Sequence, residues 1–492
     1  MLILIAFVLL NLAVFTHTPT VDPDEPQFAD PSANLALGSG FTSTMWGQDR
    51  HELCITYVPL YHAALALFFK LFGVGLFSAR ALNLVLTAGG GLLIWKALQA
   101  SALIRQPAGR LLCLGLIWSG SASTLAFRII RPDAMMFFVC AALFFAGCVP
   151  RNRWVQGALV FGISGLAPAA HLPLLPYIGT ILILYFVIFR GKNLRLLILT
   201  GLGMVAGIFA VLALYGCFST VQNYLNLVHA GSGGTATASF WHDKIFGTRP
   251  GDSNLFNSFF GSPLELFRKD TLFDHSAFLF FWVAIALSLK LWGKADGQTR
   301  KLTVLILAIA LTVPPLLHFT GHYFYYYRWM TYMPLAMLIP RLLENCEMCG
   351  LTGIRRAGLL VAGLGFFLGA PARTLMALPD WSQRSIEPIV AAAKTVVRAD
   401  DVVICDYKTY FAIRPQAQLV FAYGVTAFGD FTLIKNLPTN DVTLLALCPA
   451  EVKPVFQRVG GVWEKVPLDK IPAAAALVTT RYAVDFYRRR SD

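Results

Sequence analysis

Long apolar runs separated by short basic stretches set the pattern of this chain. A helix rises about 1.5 Å per residue, so roughly 20 apolar residues cross the hydrocarbon of a bilayer. Runs of this kind predict spans near 1–16, 79–97, 111–127, 133–149, 155–170, 172–189, 194–217, 275–291, 302–319, 324–343 and 354–372. The first has no basic leader and no small-residue cleavage site, so it reads as a retained anchor. From about residue 380 the pattern changes. VVICDY, QLVFAY, TLLALC and YAVDFY are short β-rich runs between polar and turn-forming residues, preceded by the helical AAAKTVVRADD. The expected fold class is a polytopic α-helical membrane protein, with about 11 transmembrane helices, outer surface helices and a small C-terminal α/β domain. The expected domains are 1–375, with outer loops 17–78 and 218–274, and an extracytoplasmic 376–492.

Charge then orients the spans. One set of loops holds Lys96, Arg105 and Arg110, then Arg151 and Arg153, then Arg190, Lys192 and Arg195. The same set continues with Lys290, Lys294, Arg300 and Lys301, and with Arg341, Arg355 and Arg356. Short basic loops stay in the cytoplasm. The alternate set includes 17–56, where Asp22, Asp24, Glu25, Asp30, Asp49 and Glu52 face a lone Arg50, and also 218–274 and everything after 372. These segments are expected outside a cytoplasmic (inner) membrane. Residues 57–73 are apolar enough to suggest another span, but counting them reverses every later loop. They therefore read as a helix at the outer interface or as a re-entrant pair.

Composition confirms the class. Of 492 residues, 56% are apolar and only 14% charged, against about 25% charged in a soluble domain. That excludes a cytosolic enzyme, a disordered chain, a disulfide scaffold and a coiled coil. The net charge of +13 is accounted for by the basic loops and needs no nucleic-acid partner. Most of the nine cysteines lie in apolar runs, and the pair Cys346 and Cys349 has no second pair to complete a zinc site. Cys405 and Cys448, in the hydrophilic tail, read as buried thiols.

Three outward places carry polar residues that packing alone does not explain. VDPDEPQFAD, after the first span, brings Asp22, Asp24 and Glu25 close to hydrocarbon, where carboxylates are costly unless solvated or paired. RIIRPDAMMFF places Arg128, Arg131 and Asp133 at a span junction. HFTGHYFYYYRWMTYMP gathers His318, His322, Tyr327 and Arg328 at the start of another span. His171 ends a further span, and His62 lies in the 57–73 helix. Singly, these read as a solvated turn, a surface ion pair, an aromatic belt and satisfied histidines. Together they place carboxylates and cations on one face. A carboxylate can take a hydroxyl proton, and fixed arginines can receive the charge of a departing phosphate. An enzyme that moves a sugar from a lipid phosphate to a hydroxyl would use this inventory. The rival readings are a transporter or flippase of lipid-linked sugars, which places charges near the midplane, and a non-catalytic assembly subunit.

The sequence also resembles a known family. The first span followed by DPDEPQFADPSANLALGSGF resembles the Asp-Glu signature of the GT-C glycosyltransferases, in the group of protein O-mannosyltransferases and lipid A aminoarabinose transferases (glycosyltransferase families 39 and 83). PLYHAALALFFKLFGVGLFSARALNLVL is similar to that group's surface helix and its Ala-Arg-led span. RPDAMMFFVCAALFF resembles its second acidic loop, and YYYRWMTYMPLAMLIPRLL its late Tyr-x-x-Pro span. The likeness covers roughly residues 1–345 in order. It implies an inverting transfer from a polyprenyl-phosphate sugar to a glycan, lipid or protein acceptor on the outer side, among membrane lipids. By motif position Asp24 would be the base, and Glu25 would orient it or the acceptor. Asp133 would be the second acid, and Arg131 its partner or a phosphate ligand. The resemblance leaves a divalent metal open as a cofactor. One departure stands out. The aminoarabinose transferases carry Glu-Lys-Pro before the surface helix, where this chain has Tyr57-Val58-Pro59. The cation for the carrier phosphate must then come from Arg50, His51, His62 or, preferably, Arg328, and the sugar is left open. The Gly-rich 218–274 loop has the length of a lid.

Overall fold

The computed structural model describes residues 2–45, 53–54, 59–120, 126–150, 152–171, 174–189, 193–216, 276–319, 329–423, 439–472 and 474–490. The 218–274 loop and residues 320–328, which hold His322, Tyr327 and Arg328, lie outside the described residues.

Each of the eleven apolar runs contains a helix. In chain order the helices are α1 (Leu2–Val14), α2 (Asp24–Ala36), α3 (Pro59–Phe72), α4 (Leu76–Ala100), α5 (Pro107–Ser119), α6 (Asp133–Cys148) and α7 (Arg153–Ala170). They continue with α8 (Leu174–Phe189), α9 (Leu194–Gly216), α10 (Ser276–Leu291), α11 (Gly297–Phe319), α12 (Trp329–Met348), α13 (Thr352–Phe367), α14 (Ala370–Ala377) and α15 (Glu387–Val396). By length and apolar composition, α4 and α9 are each sufficient to cross a membrane. The stretch from α13 through α14, bent by 40°, makes a third if it is one span. Helix positions therefore agree with the sequence, whereas length and composition do not establish a count of eleven crossings.

The doubtful stretch 57–73 becomes α3, only 14 residues and so about 21 Å long. Tyr61, His62, Leu65, Ala66 and Phe69 are buried on one face, while Leu67, Leu71 and Phe72 are exposed on the other. Spacing of three and four residues makes such a stripe. The buried face packs on α2.

Close packing of α7 on α9 depends on small residues. A Cβ added at Gly207 would lie 2.1 Å from the Gly165 carbonyl oxygen, and one at Gly203 would lie 2.4 Å from that of Phe161. Backbones approach this closely only where side chains are absent. Gly207→Ala is expected to cost about 1–3 kcal/mol of stability through overpacking, read as a lower midpoint of thermal melting in detergent.

The chain ends in a five-stranded sheet of order β2-β1-β3-β5-β4. Its strands are β1 (Val402–Asp406), β2 (Leu419–Tyr423), β3 (Leu444–Leu447), β4 (Trp463–Lys465) and β5 (Asp485–Arg489). The four β-rich runs of the sequence are β1, β2, β3 and β5; the short, exposed β4 gave no comparable signal. β1 is parallel to both β2 and β3, and β5 runs antiparallel to its neighbours. Central parallel strands are covered on both faces. Accordingly Val403, Cys405, Leu444 and Ala446 join the main apolar core, while Val402, Ile404, Leu445 and Leu447 form a second core. That second core is completed by Val455 and Val459 of α16 (Val452–Val459).

The main core is continuous from the helices into the sheet. Polar contacts fix the junction at α2. Tyr410 donates to Asp30 at 2.8 Å, Arg414 to Asn34 at 2.7 Å, and Thr44 to the Val420 carbonyl at 2.7 Å. Helix α2 is thus held between α3 and the short helix Tyr410–Ile413 that joins β1 to β2.

Candidate active site

The start of α2 is a capping box. The Asp22 carboxylate accepts from the Asp24 N–H at 3.0 Å, and the Glu25 carboxylate reaches back to the Asp22 N–H at 2.9 Å. Each satisfies a donor that the helix itself leaves unpaired. Asp24 and Glu25 in the first turn also suit the positive end of the helix dipole.

Side-chain direction then separates the two acids. Glu25 points inward and is fully buried. Arg80 of α4 grips it through Nε at 2.8 Å and Nη2 at 2.6 Å, a fork that matches a carboxylate. The Ile130 N–H adds a bond at 2.9 Å. Arg80 also donates to the carbonyls of Phe15 and Pro19, which ties the end of α1 into the same knot. Asp24, one residue earlier, keeps 27% of its side chain exposed.

The loop before α6 supplies the cation. Asn83 of α4 donates to the Ile129 and Arg131 carbonyls and accepts from Tyr61 at 3.0 Å, which sets the path of this loop. Arg131, only 2% exposed, donates through Nε to Asp133 at 3.0 Å and through Nη1 to Asp24. Its guanidinium lies over the Phe28 ring, 5.1 Å from the centroid. Asp133 is fully buried, and its other oxygen accepts from Trp329 Nε1 at 3.0 Å. Of Asp24, Glu25 and Asp133, only Asp24 has a face that a ligand can reach.

Partial burial disfavours the charged forms of Asp22 and Asp24. It pushes the Asp22 carboxyl up to about 6, helped by the charge of Asp24. It also raises Asp24, although Arg131 pulls the other way.

Of the residues singled out in the sequence, Asp24, Asp133 and Arg131 meet directly, and Glu25 joins them through the loop at Ile130. Arg128 turns away and donates to Asn11 of α1 at 2.9 Å. His62 lies buried between α2 and α3, apart from the accessible face of Asp24. It is 1% exposed, its Nδ1 meets Ser32 at 3.1 Å, and Phe28 and Phe41 flank its ring. Burial pushes its pKa down to about 3, so it is neutral. The cause is α2 lying across α3, which closes the buried stripe. His171 ends α7 in an extended conformation.

Arg80, Asn83 and Trp329 were missed as site residues. Arg80 did carry a signal, since an ionisable residue entering an apolar span is functional by default. Asn83 and Trp329 gave none, because both sit in apolar surroundings typical of packing. Among the described residues one group has metal-ligand spacing. The ligand atoms of Asp406, Cys448 and Glu451 lie within 4.8 Å of one another, at the ends of β1 and β3, away from the Asp24 cluster in sequence.

An Asp-Glu helix start, the Arg-Pro-Asp loop bonded to it and Trp329 of α12 together make up the candidate site. No family model matches the chain, and no curated protein matches it in sequence. Among solved structures it is similar to ArnT from Cupriavidus metallidurans bound to undecaprenyl phosphate. The TM-score is 0.56 at 14% identity, over 100% of this chain and 98% of that one. The same protein in the apo state gives 0.56 at 13% identity, over 98% of this chain and 97% of that one. ArnT is a lipid A aminoarabinose transferase, from the group that the motifs resemble. Identity this low shows the fold alone.

Proposed function

We propose that this chain is an inverting glycosyltransferase. It moves a sugar from a polyprenyl-phosphate donor to a hydroxyl of a cell-envelope glycan, lipid or protein, on the outer side of the cytoplasmic membrane. The observation that carries the reading is the reach of Asp24 beside a buried Arg131–Asp133 pair. The same fold in a protein solved with undecaprenyl phosphate supports the donor class.

In the proposed step the acceptor hydroxyl gives its proton to Asp24 while its oxygen attacks the anomeric carbon. The bond from that carbon to the phosphate oxygen breaks, and polyprenyl phosphate leaves with the electron pair. A single displacement inverts the configuration. Arg131 holds Asp24 in place, and Asp133, steered by Trp329, holds Arg131. Glu25 and Arg80 fix the start of α2. Glu25 and Asp133 are therefore positioning residues. Arg328 is the proposed contact for the leaving phosphate, because the guanidinium of Arg131 is already shared between two carboxylates. Positioning and preorganised charge supply most of the barrier lowering.

The test is mass spectrometry of envelope glycans from a deletion strain. The deletion should lose one sugar substituent, and the wild-type gene should restore it. An unchanged glycan profile in the deletion strain would overturn the assignment.

Activity should fall in acid. A base with a raised pKa keeps its proton to higher pH, so transfer is lost as pH falls through that raised value. The acid limb of kcat/KM is expected above the ordinary Asp value of about 3.9. An initial-rate pH profile with the purified enzyme checks it.

A further inference from the structure

Helix α2 carries Asp24 but does little to hold itself in place. It is 13 residues long, and Pro31 inside it has no N–H to give to the helix. Its seat is therefore set by what grips it from outside. Arg131 and Arg80 grip the first turn. A second grip is a carboxylate with no part in the proposed step. This is Asp30, six residues on and so about 9 Å along the helix.

Asp30 is 1% exposed and pairs with no lysine or arginine among the described residues. Neutral donors surround it instead. Its Oδ2 accepts from the Ser43 hydroxyl at 2.9 Å and the Thr44 N–H at 3.0 Å, with the Asn34 amide at 3.4 Å. The Thr44 hydroxyl also lies 3.4 Å from Oδ2, but its one proton goes to the Val420 carbonyl of β2 at 2.7 Å. Its Oδ1 accepts from the Tyr410 hydroxyl at 2.8 Å and from no other donor among the described residues. Asp30 thus meets the C-terminal domain twice, directly at Tyr410 and through Thr44 at β2.

A buried carboxylate is costly unless its oxygens are satisfied. Once satisfied, such a network rigidifies one arrangement. An apolar side chain would fill the same space without fixing a rotation. Converging donors fix both the rotation and the height of α2. Rotation decides where Asp24 points, because successive residues turn about 100°. A misplacement of about 1 Å at a reacting group can cost about 10²-fold in rate.

We propose that Asp30 and Tyr410 are positioning residues for the transfer, through which the C-terminal α/β domain holds α2 at the rotation that keeps Asp24 against Arg131. The domain thereby acts on the rate without touching the reacting atoms. The part played by Asp24 rests on the proposed function; the bonds at Asp30 do not.

The pH profile separates positioning from mere stability. Asp24 faces Asp22 and Glu25 on its own turn, and Arg131 and Asp133 from the loop and helix start beside it. Arg131 is the one cation among them. A rotation that lengthens its contact leaves Asp24 easier to protonate, and the acid limb of kcat/KM moves to higher pH. Global destabilisation removes active protein and leaves the limb where it was.

Tyr410→Phe in the full chain, purified in detergent, is the test. The donor is the labelled lipid-linked sugar of the host membrane, and rates are taken below the melting midpoint. The variant should lower kcat about ten-fold, leave the apparent KM for the donor unchanged and shift the acid limb upward. It should also speed hydrogen–deuterium exchange at the start of α2. Thr44→Val, which cuts only the link to β2, should move the same readouts less. Gly207→Ala, in the α7–α9 contact, lowers stability and should move neither the limb nor the exchange. Wild-type kcat and exchange in Tyr410→Phe would overturn the proposal. So would a slower Tyr410→Phe protein whose acid limb and α2 exchange match those of Gly207→Ala. A fully active Asp24→Asn protein would sink the catalytic reading. Exchange of α2 in Tyr410→Phe is measured without turnover, so it tells that failure from a failure of the seat.

Discussion

Asp24→Asn should lower sugar transfer by about 10²–10⁴-fold, the usual contribution of a positioned general base. The amide keeps the size of the carboxylate and loses its basicity. Stability should hardly change. Asp24 is the partly exposed member of the cluster, and Arg131 keeps Asp133 as its partner when Asp24 is neutral. Loss of rate without loss of fold is therefore the expected signature. It is read as initial rates of label transfer from a polyprenyl-phosphate sugar, beside a thermal melt of the same preparation. A fully active Asp24→Asn protein would remove the centre of the proposed mechanism. Glu25→Gln should behave differently, because Glu25 touches no solvent. Its loss should appear first in stability.

Arg80→Met should have the largest effect on stability, about 3–5 kcal/mol, the cost of leaving one partner of a buried ion pair without the other. Both side chains are fully buried. Removal of Arg80 strands the Glu25 carboxylate and frees the carbonyls of Phe15 and Pro19. The double variant Glu25→Gln, Arg80→Met should recover part of that loss, since no charge is then buried alone. Unfolding midpoints of the two single variants and the double variant in one detergent give the coupling directly. A double variant no more stable than Arg80→Met would mean that Arg80 acts through the backbone carbonyls rather than through Glu25.

The two effects separate roles that the sequence runs together. Asp24 and Glu25 are neighbours of nearly identical chemistry, and their motif offers no means of ranking them. Successive residues on a helix point about 100° apart. Whether that rotation sends one to solvent and the other to Arg80 depends on how α2 is seated. The seat is built by distant residues: α3 beneath, Tyr410 and Arg414 from the short helix between β1 and β2, and Asn83 through the 129–131 loop. His62 shows the same limit in reverse. Its spacing placed it on an amphipathic helix near the proposed site, but the face it occupies is the one α2 covers.

By itself the sequence determined the helix positions, the basic and acidic alternation of the loops and the β-rich tail. These follow from hydrophobic periodicity and charge, which act locally and leave marks at fixed spacing. Only the tertiary structure decided that Arg131 bridges Asp24 and Asp133 and that Glu25 belongs to Arg80. It also decided that Trp329 orients Asp133 and that Arg128 turns to Asn11 of α1. Apart from Arg131 to Asp133, such contacts join residues 55 to 196 positions apart. Their geometry comes from the packing of whole helices, which no local pattern along the chain records.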